Sequence, residues 1–201
     1  MKNNYVASSI LLLVCAFYVW ACTNPNDTTN KTETAKSIVA EVAKDTVLHG
    51  KYLVEIMGCG DCHSPKMMTA QGPVPDPKRL LSGHPAADKL PPFPNPKTTY
   101  SGAWALFTPD LTVGVGPWGV NYAANLTPHD TGMGNWTYEQ FKKALTQGKS
   151  KGLDGGRMLM PPMPWQNYVH MKEDDIQAVF AYLKSIPPVD NIVPQPTPPA
   201  M

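Results

Sequence analysis

The run Cys59-Gly60-Asp61-Cys62-His63 constrains this chain more than any other feature. On a helical turn, residues three and four apart share a face, so Cys59, Cys62 and His63 point the same way. Two thiols on one face can form thioether bonds to the two vinyl groups of a haem, and the histidine that follows can ligate the iron. Cys-x-x-Cys-His is the attachment signature of c-type haem. The run therefore predicts one covalently attached haem with His63 as an axial ligand.

Other uses of a Cys-x-x-Cys pair can be weighed against the rest of the chain. A thiol–disulfide redox pair is expected within a βαβ pattern, and no such pattern surrounds the motif. A zinc site needs a second pair of Cys or His ligands, but the other two cysteines, Cys15 and Cys22, lie in the N-terminal segment. A structural disulfide between Cys59 and Cys62 remains as the alternative to haem.

The first 21 residues have the pattern of a secretory leader, in which Lys2 precedes an apolar run that includes residues 10–17. Ala21 stands directly before Cys22, as in the lipobox of bacterial lipoproteins, although Trp20 is bulkier than that pattern prefers. We predict a lipoprotein-type signal peptide at residues 1–21 and lipidation of Cys22, with an uncleaved N-terminal anchor as the alternative. Either way the rest of the chain is exported to the periplasmic side of a bacterial membrane.

The charge balance argues against a nucleic-acid partner. Of 17 Lys and Arg residues, Lys2 alone lies in the leader, so 16 remain to balance the 16 Asp and Glu residues. Residues 22–44 are rich in small polar side chains that cannot bury enough apolar area to order themselves. We predict that they form a flexible tether.

Three helices are predicted after the tether. The first begins near Asp45 or Thr46 and runs into the haem motif, with Gly50 placed for a close approach by another helix. The second follows the capping box Thr137–Gln140, buries Phe141 and Leu145 on one face, and stops near Gly148. The third starts around Lys172 with three acidic residues in its first turn, which suits the positive end of the helix dipole. Its core stripe is Ile176, Val179, Phe180 and Leu183, and Pro187-Pro188 ends it.

Residues 64–124 form a long connection with little helical pattern and many prolines. Apolar runs on either side of Thr108-Pro109-Asp110 predict a short β-hairpin within it. The segment either wraps the haem edge and shields it from water or docks a partner, and we favour the first interpretation. The Pro-rich tail at residues 194–201 is expected to lie over the surface or to be disordered.

A second axial ligand has to come from far along the chain. The candidates are three methionines, Met158, Met160 and Met163, and three histidines, His84, His129 and His170. Met163 stands between Pro162 and Pro164, so its backbone is stiff and extended and suits a loop that presses a thioether onto iron. Buried filler is the expected role of the other two methionines, and a surface position is the default for the histidines.

Several runs resemble class I c-type cytochromes. They are Gly50-Lys51-Tyr52-Leu53-Val54 before the haem motif, Asn125-Leu126-Thr127-Pro128, Thr131-Gly132-Met133-Gly134-Asn135-Trp136-Thr137, and Gly156-Arg157-Met158-Leu159-Met160-Pro161-Pro162-Met163-Pro164-Trp165. The sequence is most similar to the monohaem subunits and domains that accompany membrane-bound dehydrogenases. The resemblance covers residues 45–193 except the long connection, which departs from the compact family pattern as an insertion at 64–124.

The resemblance implies a mostly α, class I cytochrome c fold with that Pro-rich insertion between the haem motif and the Met-ligand half. It implies that Met163 is the sixth ligand, that Arg157 and Trp165 donate hydrogen bonds to the haem propionates, and that the last helix crosses the first near Gly50 through Phe180 or Leu183. The five basic residues before the ligand loop are either a solvated face or a ring that steers an acidic partner. They are Lys142, Lys143, Lys149, Lys151 and Arg157.

The function that follows is one-electron transfer by a single haem with His/Met ligation, without chemical change of a substrate. The implied partners are a dehydrogenase or quinol-oxidising complex on one side and a terminal oxidase or reductase on the other. The alternative is a haem enzyme, such as a peroxidase, or a gas-binding sensor, and both need an open sixth position on the iron. A binding-only lipoprotein is a third class, against which the haem motif argues.

Overall fold

The computed structural model describes residues 26–92 and 96–199 of the 201-residue chain. The predicted leader, Cys15 and Cys22 lie outside the described residues. The described residues divide into two compact units, with the boundary between Ala43 and Lys44. In chain order the elements are α1 (Asn26–Ile56), α2 (Cys59–His63), β1 (Lys66–Thr69), β2 (Gly72–Pro75), α3 (Pro96–Thr99), β3 (Leu106–Phe107), β4 (Val113–Gly116), β5 (Gly119–Tyr122), α4 (Tyr138–Gln147), the 3-10 helices η1 (Ser150–Gly152) and η2 (Trp165–Tyr168), and α5 (Glu173–Ser185).

Helix α1 is longer than its sequence predicts. The prediction of a start near Asp45 or Thr46 is wrong, since the helix begins at Asn26 and includes most of the predicted tether. Residues 35–44 contain three alanines, two lysines and Glu41, and their helix propensity sustains a helix whose hydrogen bonds are internal and need no packed core. Within residues 26–92 and 96–199, no helix combines the length and apolarity needed to cross a bilayer.

The larger hydrophobic core is built by helices. Its buried members include Val54 of α1, Phe141 and Leu145 of α4, and Ile176 and Val179 of α5. The predicted capping box is confirmed, because the Gln140 amide donates to Thr137 Oγ1 at 3.2 Å and Gln140 Oε1 accepts from the Thr137 amide at 2.9 Å. The predicted bounds of α4 and α5 are confirmed as well.

Helices α1 and α5 meet at Gly50, as predicted. A Cβ added at Gly50 would overlap the backbone carbonyl of Ala178 and approach Tyr182 Cβ at 2.9 Å. At Gly50 itself the contact uses Ala178 and Tyr182, which the prediction did not name, while the predicted Leu183 is buried in the same core as Val54 of α1. Phe180 is turned toward α4, where its ring packs against Tyr138 and Phe141 with centroid distances of 5.7 and 5.4 Å.

We expect Gly50→Ala to lower the free energy of unfolding by about 3 kcal/mol, the upper range for overpacking a tight contact. The reason is that the new methyl group lands on backbone, which cannot rotate away as a side chain can. Denaturant unfolding followed by circular dichroism measures the change. Gly155→Ala is the matched control, because nothing lies within 4 Å of a Cβ at that position. Equal stability of the two variants would contradict the close helix crossing.

Residues 64–124 contain antiparallel strand pairs. The predicted hairpin is confirmed, with Leu106 paired to Val115 and Phe107 to Gly114. Strand β5 then extends this small sheet by pairing with β4, and Val113, Val115 and Val120 form a second core on it. Strands β1 and β2 form a separate two-stranded sheet that the sequence does not predict.

The Pro-rich tail lies along β5 as far as it is described. The Val120 amide donates to the Thr197 carbonyl at 2.9 Å, and the Thr197 amide donates back to the Val120 carbonyl at 3.1 Å. Of the two predicted arrangements for this tail, the structure shows the one that lies over the surface.

Candidate haem site

Helix α2 presents both thiols of the motif. It begins after Gly58, whose φ of 66° lies in the left-handed region that glycine adopts without steric cost. Cys59 and Cys62 are free thiols, both partly buried. Burial raises the pKa of Cys59 to about 11 and raises the pKa of Cys62, and the nearby Asp61 carboxylate adds to both increases. A redox-active thiol needs a lowered pKa, so the electrostatics do not suit a thiol–disulfide catalyst.

His63 has a defined tautomer. Its Nδ1 lies 2.7 Å from the carbonyl oxygen of Ala124, and because a carbonyl can only accept, Nδ1 carries the proton and donates it. In the neutral ring Nε2 then keeps a free lone pair. Burial lowers the pKa of His63, which favours this neutral form at neutral pH. An imidazole held in this way is prepared to ligate a metal through Nε2.

The backbone that accepts the hydrogen bond from His63 is held by two asparagines whose role the sequence alone does not show. Asn125, next to Ala124, is buried and donates to backbone beyond α5 at 2.9 Å. Asn191, in that same segment, donates to the carbonyl oxygens of Ser82 and His84 at 2.7 and 2.9 Å. The chain after α5 therefore ties together residues 82–84 and residues 124–125, two segments that both bond to His63. The run Asn125-Leu126-Thr127-Pro128 is the sequence feature that could have pointed to the role of Asn125.

Lys66 closes the C-terminal end of α2. Its Nζ donates to the carbonyl oxygens of Asp61 and Ser64 at 2.8 and 2.6 Å, and to that of Gly60 at 3.2 Å. The last carbonyls of a helix lack partners within it, and a lysine at this end also suits the negative pole of the helix dipole. Lys66 is the first residue of β1. Its bonds to α2 depend on how the chain folds back after the helix, so the motif alone does not predict them.

Met163 and Cys59 both pack against the helical core, although they are far apart in sequence. Met163 is half-buried, and its amide donates to the Met160 carbonyl at 3.3 Å. The following helix η2 carries Tyr168, whose pKa is raised by burial and, in addition, by the proximity of the Cys59 and Cys62 sulfurs. Tyr168, five residues after Met163, therefore lies near both thiols.

The other methionines differ in their exposure. The expectation that Met158 is buried filler is wrong, because its side chain is 42% exposed beside a surface bridge to Lys149. Met133 and Met171 also contact the helical core, and neither was among the ligands predicted from the sequence. Met133 lies at the centre of the core with 1% of its surface exposed, which is the packing expected of filler.

The three rival histidines differ in their exposure and in their contacts. The expectation that His84 is a surface residue is wrong, since only 3% of it is exposed. Its ring packs against Tyr122 at the second core, and its Nδ1 lies 2.8 Å from Thr112 Oγ1. His129 Nδ1 lies 2.9 Å from Thr131 Oγ1, and His170 is exposed.

Two of the five basic residues before the ligand loop form ion pairs within the protein. Lys142 Nζ lies 2.6 Å from Glu173, and Lys143 Nζ lies 2.8 Å from Asp154. These two lysines belong to a paired, solvated surface of the kind that contributes little stability. Arg157 donates to the Met158 carbonyl at 3.0 Å.

The donor set suits a covalently attached haem. Two free thiols three residues apart on one short helix match the spacing of two thioether bonds, and the neutral imidazole beside them offers Nε2. A thioether on a proline-bounded loop packs against the same core as the first thiol. Thiol, imidazole and thioether are the groups that hold haem in c-type proteins.

Comparison with known proteins agrees with this chemistry. The fructose dehydrogenase cytochrome subunit of Gluconobacter japonicus is 38% identical over 81 residues, which are 39% of this chain and 16% of that protein. The gluconate 2-dehydrogenase cytochrome c subunit of Pantoea cypripedii is 29% identical over 157 residues, 75% of this chain and 26% of that protein. The cytochrome c subunit of the quinone-dependent alcohol dehydrogenase of Gluconobacter oxydans is 39% identical over 67 residues, 33% of this chain and 13% of that protein.

These matches cover about a quarter or less of each relative's length. The family model described as cytochrome c matches residues 47–187, well over half of the present chain. That range contains the haem motif, the core-forming parts of the three helices and the ligand loop. The chain belongs to the cytochrome c family, and its cofactor is a covalently bound haem c.

Proposed function

We propose that this protein carries single electrons in an extracytoplasmic redox chain, with one haem attached through Cys59 and Cys62 and ligated by His63 and Met163. The bound haem supplies the ferric/ferrous couple. The observation that carries the proposal is the hydrogen bond from His63 to the Ala124 carbonyl, because it leaves Nε2 free to donate to iron. Membership of the cytochrome c family supports it.

Met163 closes the sixth position in this proposal. Its proline neighbours restrict the loop backbone, and its side chain packs against the core that Cys59 also contacts. A thioether ligand favours the ferrous state and raises the reduction potential compared with a second histidine. A closed sixth position leaves no room for a substrate or gas on the iron, which separates an electron carrier from a peroxidase or sensor.

A potentiometric titration of the purified protein tests the proposed function. We expect the haem absorbance to follow one Nernst curve with one electron, and the ferrous protein to return to the ferric form with an unchanged spectrum. A titration in two steps, or a loss of haem absorbance during cycling, would contradict a single-haem carrier.

The relatives support a dehydrogenase as the electron donor. Several are cytochrome subunits of dehydrogenases that act on fructose, gluconate or alcohol. We propose that this protein takes electrons from a dehydrogenase and passes them to an oxidase or reductase. Lys149, Lys151 and Arg157, which make no ion pair within the described residues, are available to steer an acidic partner. Residues 64–124 are an insertion into the compact fold in this proposal.

We also propose a lipid anchor at Cys22, motivated by Ala21 directly before it and the apolar run that precedes both. A diacylated cysteine holds a protein to a bilayer far better than a single chain does. Mass spectrometry of the mature N-terminus should find an N-terminal Cys22 that carries acyl chains, and Cys22→Ser should release the protein from membranes. An unmodified Cys22, or a leader still attached, would rule the anchor out.

A further inference from the structure

The two faces of the small sheet β3–β5 contact different parts of the molecule. Val113, Val115 and Val120 are 1–4% exposed and form the second core on one face. Strand side chains alternate between faces, so Gly114 and Asn121 belong to the opposite face. These two residues are direct cross-strand partners.

The opposite face of the sheet contacts the loop that carries Met163. The side-chain amide of Asn121 donates to the carbonyl oxygen of Met160 at 3.2 Å and to that of Pro161 at 3.0 Å. The amide nitrogen carries two hydrogens, which is enough for both bonds. The accepting carbonyls lie three and two residues before Met163.

This loop depends on donors from outside. Residues 160–164 are Met-Pro-Pro-Met-Pro, and proline has no backbone N–H. Within the loop the Met163 amide bonds the Met160 carbonyl at 3.3 Å, and the prolines can offer nothing further. Asn121 therefore supplies hydrogen bonds that the loop backbone cannot supply to itself.

Gly114 lets the loop approach the sheet. A Cβ at this position would lie 2.9 Å from Cδ of Pro162, a distance that real Cβ contacts do not reach. The glycine is therefore the reason that the Pro162 ring can rest on β4, directly opposite the asparagine on β5. One cross-strand pair provides the space and the hydrogen bonds for the same loop.

We propose that Asn121, seated opposite Gly114, is a positioning residue that holds the loop at residues 160–164 and so keeps Met163 on the haem iron. The segment between the haem motif and α4 then has a structural role, which is to hold the ligand loop in position. This inference rests on the proposed ligation by Met163.

Titration of the ferric holoprotein with imidazole tests this role of Asn121, because imidazole competes with the thioether for the sixth position. The loss of the far-red sulfur-to-iron charge-transfer band reports the exchange. Asn121→Ala should bind imidazole about tenfold more tightly, the equivalent of one to two net hydrogen bonds. Asn121→Asp, which keeps the side-chain shape but cannot donate, should behave in the same way, and Gly114→Ala should shift the affinity in the same direction.

Two controls accompany these variants. Asn135→Ala removes an exposed amide that bonds the Asp130 carboxylate at 3.2 Å, and Gly155→Ala adds a methyl group in open space. Both should bind imidazole as the unmodified protein does. Denaturant unfolding is measured alongside for every variant.

Unchanged imidazole affinity in both Asn121 variants would overturn the inference, even if their unfolding midpoints fell, because Asn121 would then be structural only. That outcome leaves the proposed function intact as long as Met163→Ala still erases the band. A band that survives Met163→Ala would instead overturn the ligand assignment and this inference with it.

Discussion

A chain that carries both Cys59→Ser and Cys62→Ser should accumulate no protein with covalently attached haem. Serine hydroxyls do not form the thioether bonds, and without them the haem is held only by axial ligation and packing. Haem staining of a denaturing gel and acid–acetone extraction measure the effect. The unmodified protein should keep its haem through both treatments. Cys59→Ser alone should lower the yield of haem protein strongly, because one of the two bonds is lost.

Asp61→Asn is the matched control for these cysteine variants. It changes an exposed residue inside the same five-residue motif and leaves both thiols and His63 in place. The yield of haem protein should stay at the level of the unmodified chain. Haem that passes from the unmodified protein into the extraction solvent would contradict attachment through Cys59 and Cys62.

Met163→Ala should erase the weak sulfur-to-iron charge-transfer band of the ferric protein and open the ferrous iron to carbon monoxide. The reduction potential should fall by on the order of 100 mV when water or a histidine replaces the thioether, since axial ligands set haem potentials over about 0.8 V. Far-red absorption and a potentiometric titration measure the two effects.

The other methionines supply the controls for this change. Met158→Leu, Met160→Leu and Met171→Leu nearly conserve side-chain volume and should cost less than about 1.5 kcal/mol of stability. Each should keep the far-red band. Met171→Leu is the sharpest of them, because Met171 also contacts the helical core. Loss of the band in that variant, with its retention in Met163→Ala, would assign the sixth position to Met171.

Local signals predicted the helices α4 and α5 well. The capping box at Thr137, the glycine at position 148 and the acidic first turn of α5 act within a few residues, so their effect can be read without the tertiary structure. The haem motif is local in the same sense, because α2 carries its two thiols and His63 within five residues.

Contacts between distant segments could not be predicted. Strand β2 contains both Pro73 and Pro75, residues that argue against a strand in sequence analysis, but each strand of a two-stranded sheet is an edge and tolerates proline. The burial of His84 depends on Thr112 and Tyr122, more than 25 residues away. Which residue of α5 faces Gly50 depends on the rotation of α5 about its own axis. The apolar stripe of α5 does not specify that rotation closely enough to predict Ala178.

The same distinction applies to the candidate site. The sequence predicts the atoms that would bond the haem, since each stands in a short recognisable run. The groups that hold those atoms in place come from elsewhere, as Ala124 and Asn191 do for His63 and Asn121 does for the Met163 loop. No motif spacing connects such residues, because the fold alone brings them together.

The absorption spectrum of the ferrous protein, recorded with and without carbon monoxide, tests the central claim most directly. A haem with His63 and Met163 on its two axial positions has no site for the gas, so the two spectra should be the same. A ferrous spectrum that shifts on brief exposure to carbon monoxide would show an open sixth position, and the electron-carrier account would give way to a haem enzyme or gas sensor.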